Sequence, residues 1–262
     1  MTILYQKIFS KYLNYEKNIR IYLPKNYNKN SIYKIIYLHD GQNVFNDFGA
    51  NIPYKWDINC VMETLVESKK IEPFILVGID NNDRRYFEYS PFPNNYLKHK
   101  FDQVQIYGGD GDKYADFIVK ELKPFIEKNY NVDKNFTSQT LLGSSMGAYI
   151  SLYIAGKYPN EFANFGLLSI ATWFNQDEML KFINNRDINP NKHFFLSVGT
   201  IEMQDSLVEN FSQIYLESNQ VVVNALKKQN LDVKNVIIPN GEHNEKTWKL
   251  ILPEFFSWLN KR

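Results

Sequence analysis

Residues 140–153 read TLLGSSMGAYISLY, and the fold of the chain turns on how this stretch is read. Thr140 to Leu142 is a candidate strand, a helical segment starts at about Met146, and between them lies Gly143-Ser144-Ser145-Met146-Gly147, a G-x-S-x-G pentapeptide. A sharp strand-to-helix turn strains its central residue, and glycines two positions to either side relieve the crowding. Ser145 is therefore expected to stand exposed above the end of a sheet. At average Gly and Ser usage a chain of this length holds the pattern by chance roughly one time in ten. The strand before it and the helix after it carry the argument.

Outward from this turn the same rhythm recurs: a short apolar run, a loop, then a longer segment with helical period. That alternation predicts a parallel sheet with helices on both faces. Ile35 to Leu38 and Phe74 to Val77 are apolar throughout, as strands covered on both faces should be. Tyr114, Phe117, Ile118, Leu122, Phe125 and Ile126 fall on one helical stripe, which Pro124 should kink. Further strands are expected at about Phe165 to Ser169, His193 to Val198 and Val233 to Ile238, with a long helix ending near Gln229. Trp248, Ile251, Leu252, Phe255, Phe256 and Leu259 share one face of a last helix. The reading is one α/β domain over residues 1–262: a three-layer sandwich with a mostly parallel central sheet. Only about two dozen residues separate the strands on either side of 170–192, which leaves no room for a large lid. Residues 40–56 and 80–109 break the rhythm and follow strand ends, where open α/β sheets place their ligands.

Composition removes several classes of function. Thirty basic against 29 acidic residues leave a net charge of +1, too little to steer the chain toward nucleic acid or an anionic membrane. With 16% aromatic residues the chain collapses and is not disordered. Cys60 is the only cysteine and the four histidines are dispersed, so neither an internal disulfide nor a metal site is expected. The first 18 residues carry no uninterrupted apolar run and no small-residue cleavage site, and no later run reaches the length of a membrane span. A soluble, cytoplasmic protein is expected.

A serine hydroxyl attacks well only when an imidazole takes its proton and a carboxylate holds that imidazole in place. On this kind of fold the order along the chain is serine, acid, histidine. Of the histidines after Ser145, His193 opens a strand and has no acid-bearing strand end before it, whereas His243 sits just past the last strand. The strand ending at Val198 leads into Gly199-Thr200-Ile201-Glu202-Met203-Gln204-Asp205, which makes Glu202 the first choice of acid and Asp205 the second. An oxyanion needs two backbone N–H groups; Met146, next to the nucleophile, and Gln42, after the early strand, are the expected donors. Trp56 and Trp173 are expected to flank an open cleft, where they could stack on a sugar ring or an aromatic acyl group.

With these residues placed, the chain resembles the putative esterase family of the α/β-hydrolase superfamily, which includes enterochelin-esterase-like, esterase D-like, feruloyl and acetyl-xylan esterase domains. The resemblance spans nearly the whole chain: YLHDGQNVF (37–45), WDIN (56–59), LVGIDN (76–81), the arginines at 84 and 85, EYSPF (88–92), GGDGDKYADFIVKELKPFI (108–126), LLGSSMGAYISLY (141–153), SVGTIE (197–202) and GEHNEKTW (241–248). It implies Ser145 as nucleophile, His243 as base and Glu202 as acid. The family often has a second glycine after the elbow where this chain has Ala148, a methyl group that narrows the site. The implied activity is hydrolysis of a small-molecule carboxylic ester without a cofactor. Acyl transfer or thioester hydrolysis by the same residues, and a non-catalytic binding scaffold, are the rival expectations.

Overall fold

The computed structural model describes residues 2–47, 54–94, 107–203 and 210–262. Eight strands, β1 (Thr2–Ser10), β2 (Tyr15–Leu23), β3 (Lys34–His39), β4 (Phe74–Ile79), β5 (Gln139–Ser144), β6 (Asn164–Leu168), β7 (His193–Gly199) and β8 (Asp232–Ile238), form one sheet in the order β1-β2-β4-β3-β5-β6-β7-β8. β2 pairs antiparallel with both of its neighbours; every other pairing is parallel. This is the α/β-hydrolase sandwich. Successive residues of the central strands feed opposite layers: Ile35, Tyr37, Ile75, Val77 and Leu141 join one core, while Ile36, Leu38, Leu76 and Leu142 join the other. The first layer is closed by the helices Gly111–Phe117, Met146–Lys157, Gln176–Asn184 and Phe211–Lys228, the second by Ile58–Glu67 and Glu245–Leu259.

The predicted strands are all present, each within two residues of its expected bounds. Two features differ from expectation. The β1–β2 hairpin went unread because buried polar residues disguise its alternation: Lys17 and Arg20 face inward as partners of Glu88 and Asp80. Pro124 does not simply kink its helix. It lacks the N–H that would reach the Lys120 carbonyl, and the chain passes through a π-helical turn, Ile118–Leu122, before resuming as Lys123–Asn129. Between β6 and β7 stand only the short turn Thr172–Phe174 and the helix Gln176–Asn184, so no lid domain is inserted there. Among the described residues no helix is long and apolar enough to cross a membrane.

Candidate active site

Ser145 leaves β5 with φ 55° and ψ −122°, a conformation a side chain normally avoids. Glycine makes the room: a Cβ on Gly143 would lie 2.5 Å from the Gly147 carbonyl carbon, and one on Gly147 would lie 3.0 Å from the His39 Cβ. Backbone bonds hold the strained residue on both sides. Its N–H donates to the Leu168 carbonyl at 2.9 Å, and its carbonyl accepts from the Ala171 N–H at 3.2 Å. Met146 opens the next helix, so its N–H has no acceptor within that helix.

The ends of β7 and β8 pass so closely that a Cβ on Gly199 would lie 2.1 Å from the Gly241 carbonyl oxygen. This contact brings Glu202, three residues past β7, under the loop that carries His243. Glu202 Oε2 accepts from His243 Nδ1 at 2.7 Å, and the backbone repeats the contact, His243 N–H donating to the Glu202 carbonyl at 2.7 Å. The other carboxylate oxygen, Oε1, accepts from the Ser169 hydroxyl and the Gly199 N–H, both at 2.6 Å. Trp248 Nε1 donates to the Ser169 hydroxyl at 3.0 Å. A carboxylate buried this completely is stable only with its lone pairs occupied, and here they are. Because Nδ1 faces Glu202, the ring nitrogen available to accept a proton is Nε2. Two aromatic rings fix the imidazole plane: Tyr215 at 4.7 Å between centroids and Trp248 edge-on at 5.1 Å.

A second polar cluster lies against the elbow glycines. His39 Nδ1 is 2.9 Å from the Tyr114 hydroxyl and Nε2 is 2.9 Å from the Ser151 hydroxyl. Burial pulls its pKa down to about 3, so the ring is neutral. Burial alone would raise the neighbouring Asp40 carboxyl, but Arg85 binds it at 2.9 and 2.8 Å and holds it below the ordinary range. Asn81 also bonds Asp40 and ties down the Gln42 side chain, which donates to Asn81 Oδ1 at 2.8 Å and accepts from the Asn81 N–H at 3.1 Å. Gln42 lies in the first turn of the short helix Gly41–Val44, again a position whose N–H has no intrahelical partner.

Ser145, Met146, Gln42, Glu202 and His243 all follow the carboxyl ends of strands β3, β5, β7 and β8, one end of the sheet. Asp205 lies outside the described residues, as do residues 95–106 of the loop 80–109. Trp56 is not a cleft wall. It is 2% exposed, with its ring 5.8 Å from that of Trp248, so no face is open for stacking. Trp173 remains beside the site, half-buried against Phe211 and Tyr215. Sequence reasoning missed Ser169 and Tyr215. Nothing near Ser169 in the chain marks it, and Tyr215 sits on the same helical stripe as Phe211, Val222 and Leu226, which reads as core. Among the described residues no three His, Cys, Asp or Glu side chains are grouped to hold a metal.

Residues 10–259 match the family described as Putative esterase. The chain belongs to that family. It is a carboxylic ester hydrolase. A relative by sequence is the uncharacterized protein YbbA of Bacillus subtilis (strain 168), 26% identical over 215 residues, 81% of this chain and 79% of YbbA. Among solved structures, an IroE-like serine hydrolase from Shewanella oneidensis superposes with a TM-score of 0.81 at 19% identity, over 99% of this chain and 80% of that one. A ferulic acid esterase from Anaeromyces mucronatus, in complex with ferulic acid, superposes with a TM-score of 0.65 at 18% identity, over 98% and 89%.

Proposed function

We propose that this esterase works through Ser145 as nucleophile, His243 as general base and acid, and Glu202 as the carboxylate that orients the imidazole. The observation that carries the reading is the Glu202 carboxylate, buried, bonded to His243 Nδ1 at 2.7 Å and held on its other oxygen by Ser169 and Gly199. In a surface contact with no catalytic task, a glutamate would have little reason to be so completely enclosed. Ser145 attacks the acyl carbon as His243 Nε2 takes its proton. The N–H groups of Met146 and Gln42 stabilise the oxyanion. The oxyanion collapses, the alcohol leaves with the proton from His243, and water releases the acid in a second round through the same residues.

The substrate class we infer is polar esters with short or aromatic acyl groups, including carbohydrate esters. Three features support it: the short β6–β7 connection, the aromatic side chains Tyr86, Trp173, Phe174 and Tyr215 clustered after the strand ends, and the aromatic acid held by the Anaeromyces mucronatus esterase. The test is labelling with a fluorophosphonate followed by peptide mass spectrometry, paired with turnover of acetyl, feruloyl and long-chain esters. A single adduct on Ser145, lost together with turnover in Ser145→Ala, is the expected result. Near wild-type turnover by Ser145→Ala would remove this serine from the mechanism, and a strong optimum at long acyl chains would overturn the substrate class.

A further inference from the structure

The turn after β3 carries one of the two oxyanion donors of the mechanism above, and a single segment, residues 81–89 after β4, grips it from one side. Asn81 holds both ends of the Gln42 side-chain amide: its Oδ1 accepts from Gln42 Nε2 at 2.8 Å, and its backbone N–H donates to Gln42 Oε1 at 3.1 Å. The Asn81 amide nitrogen donates to Asp40 Oδ1. Arg85 donates to both oxygens of the same carboxylate, at 2.9 and 2.8 Å, and the Asp40 N–H donates to the Tyr89 hydroxyl at 3.1 Å. The segment starts from a fixed base. The Asp80 N–H donates to the Asn18 carbonyl at 3.0 Å, and Arg20 binds the Asp80 carboxylate at 2.7 and 3.0 Å.

These bonds hold a backbone that would not keep its shape alone. Asp40 sits in the left-handed region, with φ 57° and ψ 47°, a conformation that persists in a non-glycine residue only where the surroundings over-determine it. The turn also abuts the nucleophile elbow: a Cβ on Gly147, next to Met146, would lie 3.6 Å from Asp40 Oδ2. With both ends of its amide taken by Asn81, what Gln42 can offer a substrate is its N–H, which has no partner within the helix Gly41–Val44. An oxyanion donor helps only if it is already in place, since a displacement of about 1 Å can cost about a hundredfold in rate.

We propose that Asn81 and Arg85 are positioning residues of this esterase, which clamp Asp40 and the Gln42 side chain and so fix the Gln42 N–H at the oxyanion. This rests on the oxyanion role proposed for Gln42. The clamp acts through the turn, and neither side chain has to touch the substrate. As Ser145 Oγ bonds to the acyl carbon, the electron pair of the carbonyl moves to its oxygen and meets an N–H that does not have to move. Without the clamp the turn relaxes, and the charge is left to the Met146 N–H.

The test uses an ester and the thionoester in which sulfur replaces its carbonyl oxygen. Sulfur is larger and accepts hydrogen bonds weakly, so the thionoester draws little from the two N–H groups. kcat/KM is read on both substrates for wild type, Asn81→Ala and Gln42→Ala; the last deletes the amide that Asn81 grips and leaves the backbone N–H. Wild type is expected to prefer the ester. Each variant is expected to lose about 10- to 100-fold on the ester and less than about threefold on the thionoester, part of the roughly 10²- to 10³-fold that outright removal of an oxyanion donor costs. The double variant should be no worse than either single one by more than about twofold, because the two side chains act as a unit. Arg85→Lys, which keeps the charge and loses the fork, should show a smaller loss of the same kind. Equal losses on both substrates would mean a general disturbance of the site, and no loss would leave Asn81 a packing residue; either overturns the proposal and, with the preference for the ester intact, leaves the oxyanion assignment standing. A wild type that turns over both substrates equally would bring down that assignment and the clamp with it. Thermal melts show whether each variant is folded, and Gln42→Ala, which removes a half-buried side chain, decides the matter if Asn81→Ala is not.

Discussion

Two histidines lie at or just past strand ends on the same side of the sheet, one against the elbow glycines and one on Glu202, and they are built for opposite ends. His39 has both ring nitrogens occupied by neutral hydroxyls, no carboxylate against either, and burial that keeps it uncharged. His243 has one nitrogen on a buried carboxylate, and its ring is partly exposed. The first arrangement gives a buried polar wedge that takes up no second ring proton near neutral pH. The second leaves one nitrogen open and places a counter-charge where a cationic ring would need it. What each nitrogen touches separates the two rings more than their place in the chain does. The same contrast separates the regions around them: on the His243 side buried polar groups converge on the Glu202 carboxylate, and on the His39 side Arg85 neutralises Asp40.

The contrast is broken most sharply by His243→Ala. On the proposed mechanism this variant loses about 10⁴- to 10⁶-fold in kcat for an activated ester, the scale seen when one member of such a unit is removed. Its folding transition falls as well, because the buried Glu202 carboxylate is left without one of its partners. Steady-state kinetics together with a thermal melt check both halves. Near wild-type turnover by this variant would leave His243 no better placed than His39.

Glu202→Gln sharpens the comparison by turning His243 into something closer to His39. The amide keeps the shape but can donate its own hydrogens toward His243 Nδ1, favouring the wrong tautomer and removing the counter-charge. The expected loss in kcat is about 10³- to 10⁴-fold. Some stability is lost as well, because a neutral amide oxygen accepts the Ser169 and Gly199 hydrogen bonds more weakly than the carboxylate does. Fluorophosphonate labelling separates the two effects: a folded variant still labels, only more slowly.

On the other side, Lys17 and Glu88 make a buried ion pair at 2.8 Å, with side chains 2% and 0% exposed. Lys17→Met leaves the Glu88 carboxyl enclosed without its partner, a change that typically costs about 3–5 kcal/mol. For a chain of this size that is a fall in melting temperature of roughly 10 °C. The loss appears in the melt and not in the kcat of the folded fraction, whereas Glu202→Gln shows in both. A drop in kcat with an unchanged melt would move this pair into the site.

Most of the architecture was legible because the central strands are apolar on both faces, a signal no loop imitates. The sharp turn at Ser145 was legible because strand, glycine spacing and helix coincide, and the loop that carries His243 because an apolar strand run ends just before it. The rest was hidden for identifiable reasons. The β1–β2 hairpin buries charges that are satisfied by residues 27 to 71 positions away, so its pattern reads as polar. Ser169 donates to Glu202, 33 residues downstream, and accepts from Trp248, 79 residues downstream, and no local spacing records either contact. Trp56 was misplaced because a tryptophan near a strand end looks the same in sequence whether it lines a cleft or fills a core. Tyr215 repeats with Phe211, Val222 and Leu226 along one helical stripe, and only its place against His243 distinguishes it.

The smallest effect probes His39 itself. Its pKa falls to about 3 in the folded protein from an unfolded value near 6.5. Above pH 6.5 both states are neutral at this ring and it contributes nothing to the pH dependence. Below that the unfolded chain takes up a proton that the folded protein refuses, so stability is lost as pH falls, by about 1.4 kcal/mol per unit until the folded pKa is reached. Between pH 6.5 and 5 the loss is about 2 kcal/mol, before most carboxylates begin to titrate. His39→Gln substitutes an amide that can still bond to Tyr114 and Ser151 but does not titrate. Denaturant melts should show the variant less stable than wild type at pH 7.5, with the gap narrowing by about 2 kcal/mol at pH 5. A gap that stays constant would mean that the ring is protonated inside the fold, and the distinction drawn between the two histidines would then rest on Glu202 alone.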